Sequence, residues 1–352
     1  MIRTRLTTLL GIRHPIVATG MGYVSGARLT CAVSAAGGLG IIASATMSPG
    51  ELRTAINKVR ERTRAPFGVN LRADAADARE RIELIIAERV PVASFAQAPT
   101  QEFVGRLRDA GVVTIASVGA RRHAEKVAGW GIDAVIATGA EGGGHVGAVP
   151  TSLLIPQVAD AVDVPVIAAG GFFDGRGLAA ALAYGAAGIA MGTRFLLTRE
   201  SPVPERVKQE YLRRTVNDTV VTTVLDGVPQ RVLRTELADR LARGSSLSRL
   251  ARSVRHAAGF RKMSGTSWPD LLREGVAMKR NHGLSWPAVV MAANTPMMLR
   301  ASMVDGRTDL GTLASGQVAG VIDDLPSCAE LIDRIMAEAD AVLTRLTRAE
   351  GP

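Results

Sequence analysis

His145 is the residue whose surroundings speak most directly of chemistry. It stands in Gly139-Ala140-Glu141-Gly142-Gly143-Gly144-His145-Val146-Gly147, directly after three consecutive glycines. Histidine changes charge near neutral pH, which suits it to exchanging a proton with a reacting centre. A solitary histidine more often serves structure than catalysis. The glycines argue otherwise here, because backbone of that freedom exposes the ring instead of burying it. His14, His123, His256 and His282 lack such a setting and read as structural.

Four further places carry unusual residues at the ends of apolar runs. Thr19-Gly20-Met21-Gly22 offers glycines where a flat ring can approach backbone closely. Asn70 closes an apolar run with a polar amide. Ala169-Gly170-Gly171 and Met191-Gly192-Thr193 are successive glycine turns whose N–H groups can converge on one anion, the sign of a phosphate site. A glycine turn alone is weak evidence, but two at consecutive units favour phosphate over mere tight turning.

Other motifs are decoys. Gly142–Gly147 matches G-x-G-x-x-G, and Gly175–Ala180 matches G-x-G-x-x-A. A dinucleotide fold places that fingerprint in its first strand–helix turn, whereas these fall in the sixth and seventh units. No G-x-S-x-G elbow, no helical histidine pair for a metal and no Walker A loop occurs.

The elements that must hold these residues repeat through the first 200 positions: a short apolar run, a Gly- or Asp-marked turn, a helical stretch. The spacing predicts strands at Pro15–Met21, Leu39–Ser44, Phe67–Leu71, Val92–Phe95, Val112–Val118, Ala134–Gly139, Val164–Gly170 and Gly188–Phe195. It predicts helices such as Pro49–Thr63, Ala75–Glu88 and Ala120–Gly129. Runs that are apolar throughout mark strands buried on both faces of a parallel sheet. Eight units point to an α/β fold, a (β/α)8 TIM barrel, with an open doubly wound sheet as the alternative. Catalytic groups then belong on the loops that follow the strands. After Phe195 the rhythm breaks. A hairpin is expected over Val220–Val232 around Asp226-Gly227, then a basic, helical, methionine-rich stretch over Thr235–Met303, and helix again at Ala314–Ile322 and Cys328–Leu346. The division is a barrel over 1–220, a mainly helical cap inserted after strand 8 over 221–310, and C-terminal helices over 311–352.

Composition agrees. A hydrophobic share of 47% against 21% charged describes a folded globular chain. Cys31 and Cys328 form neither a disulfide framework nor a metal-ligand spacing, which fits a reducing cytoplasm. Arg13 and His14 interrupt the apolar start, so no signal peptide is read there, and no run approaches the roughly twenty apolar residues of a membrane span. The net charge of +9 is concentrated between Arg199 and Arg280, which holds 17 basic and 9 acidic residues. Arg249, Arg252 and Arg255 recur every three residues along one helix face, a stripe suited to phosphates or simply to solvent. Aromatic residues do not interleave with it, which argues against nucleic acid.

Together the motifs resemble a known family. SAAGGLG (34–40), PFGVN (66–70), EGGGHVG (141–147), AAGGF (168–172), GTRF (192–195) and SGQVAG (315–320) are similar to the nitronate monooxygenases, formerly 2-nitropropane dioxygenases, which also include flavin-dependent enoyl-ACP reductases. That resemblance implies an FMN-binding barrel with a cap. By it Gly20, Met21, Gly22 and Asn70 line the flavin, and His145 is the catalytic histidine. Gly170, Gly171, Gly192 and Thr193 hold the FMN phosphate, and Gln317 approaches the cofactor. Thr138, Gly143 and Gly144 belong to the same wall. Where the family often has Gln-Gly before the glycine-rich loop, this chain has Thr138-Gly139. Two glycine loops serve one phosphate and no second adenylate site is evident, which favours FMN over FAD. AGGFFDGRGLAAAL, VLRTEL, MAANTPM and LASGQVAG are similar to actinobacterial flavin reductases that degrade the last steroid rings as CoA thioesters. The leading expectation is therefore a cytoplasmic reductase of an unsaturated or ketone-conjugated CoA thioester, with NADH or NADPH as electron donor. Arg249, Arg252 and Arg255 would grip the CoA tail, and a homodimer is compatible. Nitronate oxidation by O2, enoyl-thioester reduction in fatty-acid metabolism and a non-enzymatic flavin sensor are the alternatives.

Overall fold

The computed structural model describes residues 2–243 and 286–348. Eight parallel strands close on themselves: β1 (Ile16–Ala18), β2 (Leu39–Ala43), β3 (Phe67–Leu71), β4 (Val92–Phe95), β5 (Val113–Val118), β6 (Ala134–Thr138), β8 (Val166–Ala169) and β9 (Gly188–Met191). Ile16 lies opposite Ile189 and Ala18 opposite Gly40, so β1 pairs with both its first and its last neighbour and seals the ring. β2, β3, β4, β8 and β9 are buried at every position, the burial that their unbroken apolar runs require.

Two cores result. One fills the barrel with Val17, Leu39, Ile41, Val92, Ile115, Ile136 and Ile167. The other lies between strands and outer helices, where Leu52, Ile56, Ile85, Leu107, Leu154 and Leu178 pack. Helix α1 (Arg5–Leu10), started by a Thr4–Thr7 capping box, adds Leu6 and Leu10 to the inner core and plugs the N-terminal end. With that end stopped, the C-terminal rim is left to carry the site.

The expected strands all form, within a few residues. β1 stops at Ala18 and β9 at Met191, because the glycines that follow leave the ladder. The expected helix at Ala314–Ile322 does not form. Ala314 instead bridges Val232, and only a 3-10 turn spans Gln317–Val321. Ser315 and Gly316 are committed to hydrogen bonds with Arg231 and Thr193, which leaves them no helical partner. The C-terminal helix (Cys328–Thr347), opened by a Ser327–Glu330 capping box, packs against α2 (Ala27–Ala35) and α3 (Gly175–Ala183) and completes the outer ring.

β10 (Thr219–Thr222) and β11 (Gln230–Leu233) form the expected antiparallel hairpin, with a turn longer than two residues. β11 then pairs with β7 (Gly144–His145), a short strand inside the glycine-rich loop. No described helix is long and apolar enough to cross a membrane. Arg249, Arg252, Arg255 and most of the expected cap lie outside the described residues.

Candidate active site

His145 is placed by strand pairing rather than by a mobile loop. Its backbone lies opposite Gln230, and Gly144 lies opposite Arg231. Val146 donates its N–H to the Pro229 carbonyl at 3.1 Å. Arg231 clamps the loop from the other side, its guanidinium giving Nε and Nη2 to the Ala140 carbonyl at 3.1 and 2.9 Å and Nη1 to Thr219 Oγ1 at 2.9 Å. The Glu141 carboxylate accepts from the Thr151 N–H and hydroxyl at 3.0 and 2.7 Å, and its carbonyl accepts from the Gln317 N–H at 3.0 Å. The loop is thereby fixed at both ends. The His145 side chain remains 43% exposed, open enough to meet a substrate.

Asp226 faces it. His145 Nε2 and Asp226 Oδ2 are 2.7 Å apart. Burial pushes the Asp226 carboxyl up, but the hydrogen bonds and charge of His145, with hydrogen bonds from Gln230 and the Val228 N–H, outweigh it and hold the group below the usual carboxylate range. In the sequence Asp226 was visible only as a turn residue. Eighty-one positions separate it from His145, and nothing but the β7–β11 pairing brings them together.

The remaining expected residues share one rim, at the C-terminal ends of parallel strands. Gly20 packs against Asn70, so tightly that a Cβ on it would lie 2.4 Å from the Asn70 Cβ. Gly22 lies against Thr46, and Gly143 against the Gly316 N–H, with 3.1 and 2.6 Å to the same imagined atom. These three glycines are explained by protein contacts alone, so close ring approach is not needed to account for them. Met21 is half-buried beside Gly192, and Thr138 lies under Gly142. Asn70 is buried, its carbonyl held by the Ser44 hydroxyl at 2.7 Å. The Gln317 side chain reaches the Val216 carbonyl at 3.4 Å. Tyr23, which sequence reasoning passed over, holds a left-handed φ of 62° on the same rim, a strained conformation for a bulky residue.

Gly170 and Gly171 have consecutive left-handed φ values of 94° and 84°. A Cβ on Gly171 would meet nothing nearer than Glu141 Cβ at 3.9 Å. Among the described residues, no protein acceptor takes the N–H of Gly171 or of Thr193. Thr193 Oγ1 accepts from the Gly316 N–H at 2.9 Å and keeps its own proton to donate. These orphan donors on an open glycine turn fit a phosphate. The N-terminus of α3 does not, since Asp174 caps the Gly177 N–H and Glu338 accepts from the Gly175 N–H at 2.8 Å. Gly175 is glycine because a Cβ there would lie 2.4 Å from Ala339 N, which confirms its fingerprint as a decoy. A cleft at the opposite end, lined by residues including Leu9, Leu10, Arg60, Arg64 and Phe67, holds no histidine or carboxylate.

A closed parallel barrel with a histidine–carboxylate pair and a phosphate-fitting turn on one rim is the architecture of a cofactor-dependent barrel enzyme. The nitronate monooxygenase family model matches residues 3–81 and 77–338, and the chain belongs to that family. It is a flavin-dependent oxidoreductase. A Mycobacterium tuberculosis relative named (3aS,4S,5R,7aS)-5-hydroxy-7a-methyl-1-oxo-octahydro-1H-indene-4-carboxyl-CoA dehydrogenase is 60% identical over 341 residues, 96% of each chain. A Rhodococcus jostii relative of the same name is 57% identical over 338 residues, again 96% of each. Among solved structures, FabK from Thermotoga maritima is 36% identical with a TM-score of 0.81, covering 98% of this chain and 99% of its own.

Proposed function

We propose that this chain is an FMN-dependent dehydrogenase of a hydroxylated, fused-ring CoA thioester of steroid-ring origin. One observation carries the reading: 60% identity that spans 96% of both chains, and so includes the segment between hairpin and C-terminal helix where family members can differ in substrate. The expectation from sequence wrote hydride transfer to an unsaturated thioester, while the relatives' names write dehydrogenation of a hydroxylated one. Adding hydrogen across a C=C bond beside the thioester and removing it are directions of one couple, and the same histidine serves as acid in one and base in the other.

A flavin, when bound, would supply the two-electron acceptor for the substrate hydride, with a nicotinamide, NAD(P)+ or NAD(P)H according to direction, as its redox partner. The protein's residues do the rest. His145 takes the proton from the carbon beside the thioester carbonyl as the C=C bond forms. Gly170, Gly171, Gly192 and Thr193 hold the FMN phosphate through N–H and hydroxyl donors. Gly20, Met21, Gly22, Asn70, Thr138, Gly143, Gly144 and Gln317 wall the ring and ribityl chain. Residues 221–310 form the substrate cap, with Arg249, Arg252 and Arg255 toward the CoA phosphates.

The test is anaerobic. A 5-hydroxy-octahydroindene-carboxyl-CoA thioester, an alkyl nitronate, NADH and NADPH are each mixed with the purified flavoprotein while flavin absorbance is followed. Bleaching by the thioester supports the proposal. Bleaching by the nitronate, with the thioester inert, replaces it with nitronate oxidation.

A further inference from the structure

Asp226 receives three donors. His145 Nε2 and the Gln230 side-chain amide both reach Oδ2, and the Val228 N–H reaches Oδ1 at 3.1 Å. The amide nitrogen of Gln230 must face the carboxylate, because its oxygen there would meet another acceptor. Gln230 is itself buried and sits opposite His145 across the β7–β11 ladder, so the donors are fixed by backbone register. The turn that carries Asp226 is tied down next door, where Thr295 Oγ1 donates to the Leu225 carbonyl at 3.0 Å.

An ionised carboxylate only accepts hydrogen bonds. The surroundings of Asp226 favour that ionised form, so Nε2 of His145 carries a proton and Nδ1 keeps the lone pair. Nδ1 meets no protein partner among the described residues. We infer that Asp226 is the positioning residue for His145, turning the imidazole so that Nδ1, not Nε2, exchanges the proton with substrate.

The step then balances. The proton on the carbon beside the thioester carbonyl moves to Nδ1, and the electron pair of that C–H bond becomes the second bond of C=C. The C–H electron pair of the next carbon leaves as hydride, for which a bound flavin would be the acceptor. The imidazolium formed keeps its Nε2–H on Asp226, whose negative charge offsets the new positive one in a partly enclosed setting. The neutral imidazole gains less from that carboxylate than the imidazolium does. The pair therefore favours the transition state over the ground state. The inference rests on the proposed activity for its substrate, but not for its geometry.

A double-mutant cycle tests it on the flavin-loaded protein. The rate of flavin reduction by the hydroxyacyl thioester is measured for wild type, Asp226→Asn, His145→Ala and the double variant. Asp226→Asn should slow reduction by about 10²-fold or more while KM and flavin content stay within about twofold. Placed in the His145→Ala background it should cost less than about threefold, because a residue that acts through His145 has nothing left to act on. Asp226→Glu should recover part of the rate. In proton NMR, the downfield Nε2–H resonance, assigned by its absence in His145→Ala, should vanish in Asp226→Asn and persist in Asp226→Glu. Equal slowing in both backgrounds, or no slowing at all, would reduce Asp226 to a tie between hairpin and loop. Should the thioester not reduce the flavin, the functional proposal fails alone, and the same cycle run with an alkyl nitronate decides the role of Asp226.

Discussion

At the scale of single residues, the site divides into side chains that do chemistry and glycines that make room. His145→Ala removes the proton acceptor but leaves every backbone contact of the β7–β11 ladder. It should therefore retain flavin while turnover falls by roughly 10²–10⁴, the usual worth of a general acid or base. Full turnover in that variant would return His145 to a structural role. Gly171→Val should do the reverse. At φ 84° any side chain is strained, and a branched one adds bulk beside the orphan N–H groups. The purified variant should melt cooperatively yet carry little flavin, and a normal flavin-to-protein absorbance ratio would remove Gly171 from the phosphate site. His145 and the paired glycine turns were legible in the sequence because local spacing announces them. Asp226 was not, since its partner is distant and an Asp-Gly in a hairpin already has a sufficient reason to exist.

At the scale of elements, the eight strands were legible for a physical reason. Strands buried on both faces must be apolar throughout, and that pattern survives in sequence without any knowledge of neighbours. Segment Ala314–Ile322 was misread as a helix because its partners lie elsewhere. It follows β11 through the Val232–Ala314 bridge, then gives Gly316 to Thr193 and Gln317 to Glu141, and those bonds replace the helix that its apolar residues suggested. The arginine stripe is the element for which only spacing speaks. If Arg249, Arg252 and Arg255 lie along one helix face and grip CoA phosphates, changing all three to glutamine should raise KM for a CoA thioester. Reduction of a short acceptor without the CoA tail should barely change. The loss should shrink with added salt, since exposed charges are screened beyond about 8 Å at physiological ionic strength. An unchanged KM would leave the stripe a solvated surface.

At the scale of the whole molecule, the chain closes its outer ring only at the end, and one ion pair joins that last segment to the site. Arg194 follows the phosphate-fitting Gly192-Thr193 and is almost wholly buried. Its Nη1 meets Asp324 Oδ1 at 2.9 Å and its Nη2 meets the Leu197 and Asp324 carbonyls at 2.9 Å. Asp324 also accepts from Arg334 on the C-terminal helix at 2.7 Å. Burial pushes the Asp324 carboxyl up, but the hydrogen bond from Arg334 and the charge and hydrogen bond of Arg194 prevail and hold it below the usual range. A carboxyl lowered in the folded state stabilises the fold above its unfolded pKa, about 3.9, and loses that contribution as pH falls toward and through the folded value. Asp324→Asn should consequently lower the melting temperature most near neutral pH, where it strands the buried Arg194 charge. The gap to wild type should narrow below about pH 4, where the wild-type carboxyl takes up its own proton. A gap of constant size from pH 7 to pH 3 would show that the charge of Asp324 is not what holds the closing segment to the barrel.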